Sequence, residues 1–192
     1  MQSQIPAVLL AWSVAVVACG EGRRDAAPQQ PTTGQDSLSG GPATSNVTAT
    51  MRNAAGKELG TLTLSEAGAG ISVSGRLSGL PPGVHAIHLH AVGRCEPPKF
   101  QSAGDHWNPT DRQHGTQSRG GPHLGDLANI TVAPDSSATV QETTTGGTLR
   151  GANPLLDTDG AAVVVHARRD DYHTQPSGDS GDRIGCGVLS GG

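Results

Sequence analysis

Aromatic side chains are almost missing from this chain: one Tyr, one Phe and two Trp among 192 residues. Glycine is abundant instead, at 28, which points to turns and short strands. Good helix formers are thin beyond residue 45, where Gly, Thr, Ser, Val and Pro dominate, so helix is poorly supported. Basic blocks are absent as well. Thirteen Lys and Arg face seventeen Asp and Glu, a net charge of −4, and no cluster of cations is available to neutralise phosphates, which argues against nucleic acid as a partner. The length still suffices for one domain with a sizeable core plus an appendage.

The chain has one long apolar run, Ile5 to Val17. It is too short for a comfortable membrane span but suits the hydrophobic part of an export signal. Val16-Val17-Ala18-Cys19 resembles a bacterial lipobox, which predicts a signal peptide over 1–18 and a lipidated Cys19 at the start of the mature protein. A plain cleaved signal and a retained helix are the other readings, and Met1 to Pro6 departs from the usual pattern in carrying no Lys or Arg. Residues 19–44 hold little that is apolar and much Gly, Pro, Ser and Gln, the composition of a flexible tether. The expected location is therefore exported, in the periplasm or cell envelope, with membrane attachment through Cys19.

From residue 45 to 192 the pattern is strand and turn. Val47–Met51, Leu59–Leu64 and Ile71–Leu77 alternate apolar with polar or small residues, and Leu80-Pro81-Pro82-Gly83 turns into a strand bearing His88 and His90. Four more follow at Leu127–Val132, Ala138–Thr143, Ala161–Ala167 and Ile184–Leu189. Eight short strands without helical periodicity predict an all-β, antiparallel sandwich or barrel.

Histidine supplies the chemistry. His88 and His90, two residues apart on a strand, point from one face of the sheet. Alone, the pair fits either a metal site or a half-buried strand whose histidines face water. The stretch from Gly93 to Gly125 adds His106, His114 and His123, with Asp126 just beyond, and His166 ends the run Val163-Val164-Val165. A loop that long is usually functional or disordered. Six histidines and a carboxylate distributed in this way favour metal, since neutral imidazoles suit copper and zinc and one carboxylate among three imidazoles is an ordinary zinc set.

These segments, taken in order, resemble the Cu/Zn superoxide dismutase family in its bacterial, exported form over about Asn46 to Leu189. The matching motifs are His85-Ala86-Ile87-His88-Leu89-His90, Gly93-Arg94-Cys95-Glu96-Pro97-Pro98 and Ser102-Ala103-Gly104-Asp105-His106-Trp107-Asn108-Pro109. They continue with His114-Gly115, His123-Leu124-Gly125-Asp126-Leu127, Val165-His166-Ala167, Asp170-Asp171-Tyr172 and Gly181-Asp182-Arg183-Ile184-Gly185-Cys186-Gly187-Val188. The resemblance implies an eight-stranded Greek-key barrel with long metal-binding loops. It implies copper on His88, His90, His106 and His166, and zinc on His106, His114, His123 and Asp126, with His106 shared. Asp170 would link His88 to His114, and Arg183 would draw the superoxide anion into the copper channel. The implied reaction is dismutation of superoxide to dioxygen and hydrogen peroxide by alternating reduction and reoxidation of copper.

The resemblance also implies a Cys95–Cys186 disulfide closing a loop of about ninety residues, worth roughly 4 to 5 kcal/mol in the chain-entropy model. The resemblance leaves monomer and homodimer both open for this chain. Three positions depart from its pattern: Trp107 where Phe is common, Ala86 where Gly is common, and Asp105 where a small residue is usual. Asp105 is expected to point outward. His85 is expected to hold a structural hydrogen bond, His173 to face solvent, and Asp157-Thr158-Asp159-Gly160 to be a turn. A metal-buffering lipoprotein and a metal-free adhesin-like sandwich are the competing functions, both weakened by the presence of Arg183, Asp170 and every zinc-type ligand.

Overall fold

A computed structural model describes residues 46–190. The signal segment and the tether, Cys19 included, lie outside the described residues. Among the described residues nine strands run in chain order: β1 Val47–Arg52, β2 Glu58–Ala67, β3 Gly70–Ser78, β4 Gly83–His85, β5 Ile87–His90, β6 Ile130–Val132, β7 Ser137–Thr143, β8 Ala162–His166 and β9 Arg183–Ser190. Among the described residues the only helical element is a 3-10 turn at Gln101–Ala103.

Seven strands form one antiparallel sheet in the order β5-β8-β9-β1-β2-β3-β7, and β4 pairs with β6 apart from it. Neighbours distant in sequence, β9 beside β1 and β7 beside β3, give the return connections of a Greek key. Strands from both ends of the sheet feed one core: Ile87 and Leu89 of β5 meet Val73 and Leu77 of β3 and Val140 of β7 in a single cluster. The sheet therefore curls around its interior. Each large side chain so buried contributes about 1.5–3 kcal/mol.

The strand expected around His88 is two strands, which raises the count from eight to nine. At Ala86 the backbone changes partner: its N–H donates to Arg168 O at 2.8 Å and its carbonyl accepts from His166 N at 2.9 Å. β4 pairs with β6, whereas β5 pairs with β8. The burial pattern changes here as well, from exposed Gly83 and Val84 to Ile87–His90, which are buried throughout. β6 is also shorter than expected, because Leu127 packs into the core from the preceding loop.

β8 is buried on both faces. Val163 and Val165 enter the main core, while Ala162 and Val164 join Phe100, Ala103 and Cys186 in a second cluster beneath the loop that follows β5. Coverage on both sides accounts for an unbroken valine run instead of alternation. Cys95 and Cys186 form a disulfide, with Cα atoms 5.7 Å apart across a sequence separation of 91, and it ties the start of that loop to β9.

Candidate metal centre

β5 sends Ile87 and Leu89 into the core and presents His88 and His90 on its opposite face. β8 delivers His166 at its end, where the pairing with β9 shifts register after Val165. The loop brings the remaining histidines by running alongside β5. Trp107 N–H donates to Leu89 O at 2.8 Å, Leu89 N–H to Gly125 O at 2.9 Å, and Gly125 N–H to Trp107 O at 2.8 Å. Gly125 is required at this crossing, since a Cβ there would lie 2.3 Å from Leu89 O. Trp107 anchors the far side by donating its indole N–H to Pro154 O at 3.0 Å.

The result is two groups of ligand atoms sharing one ring. Nδ1 of His88 and Nε2 of His90, His106 and His166 are buried and have no hydrogen-bond partner. The four residues offer ligand atoms within 4.8 Å of one another. One buried polar atom without a partner costs about 1–3 kcal/mol, so four converging nitrogens need a shared partner, and a metal cation satisfies all of them.

The other nitrogen of each ring is held. His88 Nε2 faces Asp170 Oδ2 at 3.0 Å, His90 Nδ1 faces Gly104 O at 2.9 Å, and His106 Nδ1 faces Asp126 Oδ1 at 2.8 Å. His166 Nδ1 faces Ser180 Oγ at 3.1 Å and Gly181 O at 3.3 Å. Carbonyl and carboxylate acceptors on the outer nitrogens of His88 and His90 place the ring protons there and leave the inner lone pairs free for a metal, whereas the outer nitrogen of His106 belongs to a second group.

The second group surrounds one carboxylate oxygen. Nδ1 of His106, His114 and His123 lie 2.8, 3.0 and 3.2 Å from Asp126 Oδ1. Asp126 Oδ2 accepts the backbone N–H groups of Gly115 at 2.8 Å and His123 at 3.0 Å. Three imidazoles and one carboxylate are a donor set suited to tetrahedral zinc. His106 belongs to both groups, through Nε2 in one and Nδ1 in the other. Asp170 couples them a second time, with Oδ1 at 2.9 Å from His114 Nε2 and Oδ2 on His88.

Electrostatics separates the two groups. Burial pushes His90 well below its ordinary value, His106 down to about 3 and His166 to about 2, and the neighbouring imidazoles add to the effect. Burial also lowers His88, against the pull of Asp170. All four rings are therefore neutral and able to act as ligands at neutral pH. Burial opposes charge on His114 too, but hydrogen bonds to Asp126 and Asp170 outweigh it and raise this ring to about 9. Burial would raise the two carboxyls, yet their imidazole partners hold both well below the usual carboxylate range.

Above the first group opens a cleft of about 470 Å³ whose walls include Asp105, His106, His166 and Arg183. Arg183 donates Nη1–H to Phe100 O and Nη2–H to Gly104 O, each at 2.8 Å. Both acceptors are backbone carbonyls, so the hydrogen bonds fix the guanidinium without neutralising it. Asp105 is solvent-exposed, is one of the residues lining the cleft with Arg183, and its negative charge favours the charged form of that guanidinium. The peptide at Asp105 is held beside β5 by the Ala91 N–H, which donates to Asp105 O at 3.0 Å.

The remaining singled-out residues fall outside the two groups. His85 is buried, with Nδ1 at 2.8 Å from His166 O and Nε2 at 2.9 Å from Pro81 O. His173 is exposed, and Asp157–Gly160 forms a turn closed by Asp159 N–H on Asp157 Oδ1 at 3.0 Å. Sequence reasoning missed Gln175, whose amide brackets His114: Oε1 accepts the His114 N–H at 2.8 Å and Nε2 donates to His114 O at 3.0 Å. It also missed Asn129, which pairs with both backbone groups of Asp170 at 2.7 and 2.9 Å. Neither residue carries a motif signal.

Curled antiparallel sheet, disulfide-tethered loop and paired histidine groups together define a two-metal β-barrel protein. Residues 58–189 match the family described as copper/zinc superoxide dismutase. The chain is 40% identical over 148 residues to a Cu-Zn superoxide dismutase of Caulobacter vibrioides, covering 75% of this chain and 85% of that one. Among solved structures, a SOD-like protein from Bacillus subtilis superposes with a TM-score of 0.71 at 35% identity, covering 74% of this chain and 97% of that one. The Cu/Zn superoxide dismutase of Brucella abortus gives a TM-score of 0.62 at 26% identity, over 76% and 99% of the two chains. The chain belongs to the copper/zinc superoxide dismutase family.

Proposed function

We propose that His88, His90, His106 and His166 hold copper, that His106, His114, His123 and Asp126 hold zinc, and that this centre converts two superoxide ions and two protons to dioxygen and hydrogen peroxide. The observation that carries the assignment is the set of four buried, unpartnered imidazole nitrogens, one of them on a ring whose other nitrogen sits in the second group. Bound copper supplies a one-electron couple that takes an electron from one superoxide and returns it to another, and zinc supplies fixed positive charge beside the shared imidazole.

The chain's own residues do the rest. Arg183, fixed by two carbonyls and open to the cleft, attracts and docks a small anion beside His106 and His166. His106 lines that cleft, and its Nε2, when not bound to copper, would be free to carry a proton to the peroxide product. Asp170 keeps the rings of His88 and His114 in the tautomers that face the metals.

The test is superoxide consumption by the purified protein loaded with copper and zinc, followed by stopped-flow absorbance. Wild type is expected to be active and His166→Ala inactive. Absence of dismutation with both metals bound would leave metal buffering as the better account.

We also propose that the protein works outside the cytoplasm on a lipid anchor at Cys19, with signal 1–18 removed and the segment to residue 44 serving as tether. The lipobox-like sequence supports this, as does a disulfide of the kind that persists in oxidising compartments. Mass spectrometry of protein taken from membranes is expected to find an acylated Cys19 at the N-terminus, and an unmodified one would contradict the anchor.

A further inference from the structure

We infer that Ser180 is a positioning residue for the copper-type group: its hydroxyl accepts the Nδ1–H of His166 and holds that ring in the orientation and tautomer that present Nε2 to the metal. The inference rests on the ligand assignment above.

Ser180 is fully buried, 0% exposed, in a short loop otherwise polar and partly open to solvent. Its Oγ lies 3.1 Å from His166 Nδ1, nearer than Gly181 O at 3.3 Å. The other three rings have partners that accept at shorter range: a carboxylate at 3.0 Å for His88, a carbonyl at 2.9 Å for His90 and a carboxylate at 2.8 Å for His106. His166 is therefore the member of the group whose orientation is least constrained without the serine. An N–H to a carbonyl at 3.3 Å is beyond the usual range for such a bond.

The hydroxyl's role follows from the opposite side of the ring. A serine can donate or accept. Nε2 of His166 is a metal ligand only with its lone pair free, so the ring proton must sit on Nδ1, and the serine then has to accept. Both partners are built to stay in register. Ala167 N–H donates to Asp182 O at 2.7 Å and Arg168 N–H to Ser180 O at 2.9 Å, continuing the pairing of β8 and β9 past the register shift at His166. The serine is thus fixed by the backbone that follows the ligand it orients, and it serves one metal group and not the other.

The experiment compares copper and zinc affinities of wild type and Ser180→Ala by chelator competition. It also follows the His166 Nδ1–H resonance by NMR in the diamagnetic reduced protein. Ser180→Ala is expected to lose about ten- to a hundredfold in copper affinity with zinc affinity unchanged, and its Nδ1–H to exchange faster with water. In a His166→Ala background, adding Ser180→Ala should change copper affinity no further. Unchanged copper affinity and exchange rate would overturn the inference, as would an equal loss of both metals or a further loss in the double variant. Wild type that takes up no copper dependent on His166 would instead bring down the ligand assignment, and the inference with it.

Discussion

Each oxygen of Asp170 takes one imidazole nitrogen, His114 on Oδ1 and His88 on Oδ2, so a single carboxylate orients a ligand in both proposed sites. Asp170→Asn keeps the shape but exchanges one acceptor for a donor, which forces one ring to turn or change tautomer. Copper affinity is expected to fall about ten- to a hundredfold in chelator competition; an unchanged affinity would remove Asp170 from the account. Asp105 has a subtler effect, because it places a negative charge on the wall of a cleft that must admit an anion. A unit charge ~10 Å away in water is worth about 0.4 kcal/mol, or about a factor of two in rate. Asp105→Asn is therefore expected to raise kcat/KM for superoxide about twofold at low ionic strength, with the gain fading at ~0.5 M salt. A rate that stays the same at low salt would show that this carboxylate is not sensed. Part of this scale was legible in the sequence: the His88-Leu89-His90 spacing placed two imidazoles on one face, and the ordered motifs named the other members of the two groups that the structure brings together. Ser180, Gln175 and Asn129 were not, because their contacts depend on where irregular loops pass, and no periodicity encodes that path.

Among the elements, the long loop after β5 owes its position to two attachments: the backbone ladder of Leu89, Trp107 and Gly125, and the Cys95–Cys186 disulfide. Gly178 shows how closely the return loop is fitted. It adopts φ +68°, and a Cβ there would lie 1.7 Å from Asp170 Oδ1 and 2.7 Å from His114 Nε2, so any side chain displaces the link between the two sites. Replacing both Cys95 and Cys186 by Ser is expected to lower the stability of the metal-free protein by about 4 kcal/mol, read from chemical denaturation. A loss under ~1 kcal/mol would mean that the ladder alone retains the loop. The strands themselves were readable from alternation. The break at Ala86 was not, since it is a change of backbone partner within a short run of mixed apolar residues and histidines, and the double burial of β8 was visible only as an unusual valine run.

For the molecule as a whole, the centre makes stability depend on pH in both directions when metal is removed. His106 and His166 titrate at about 3 and about 2 in the folded protein, against about 6.5 for an unfolded histidine. Below ~6.5 the unfolded chain takes up protons that the folded one refuses, so this contribution is lost as pH falls towards 3. His114 has the opposite sign. Its folded value of about 9 contributes stability that is fully present below ~6.5 and is lost as pH rises through 9. The metal-free protein is accordingly expected to be most stable near pH 6.5 in denaturation measured from pH 4 to 10. A profile flat across that range would contradict the neutral, buried state assigned to the copper-type rings.

The central claim is that one imidazole, His106, joins two metals held by the two groups. Anomalous diffraction from crystals of the reconstituted protein, collected on either side of the copper and zinc absorption edges, tests it most directly. A copper peak is expected among His88, His90, His106 and His166 and a zinc peak among His106, His114, His123 and Asp126, one on each nitrogen of His106. A single peak, or two metals of which only one touches His106, would contradict it.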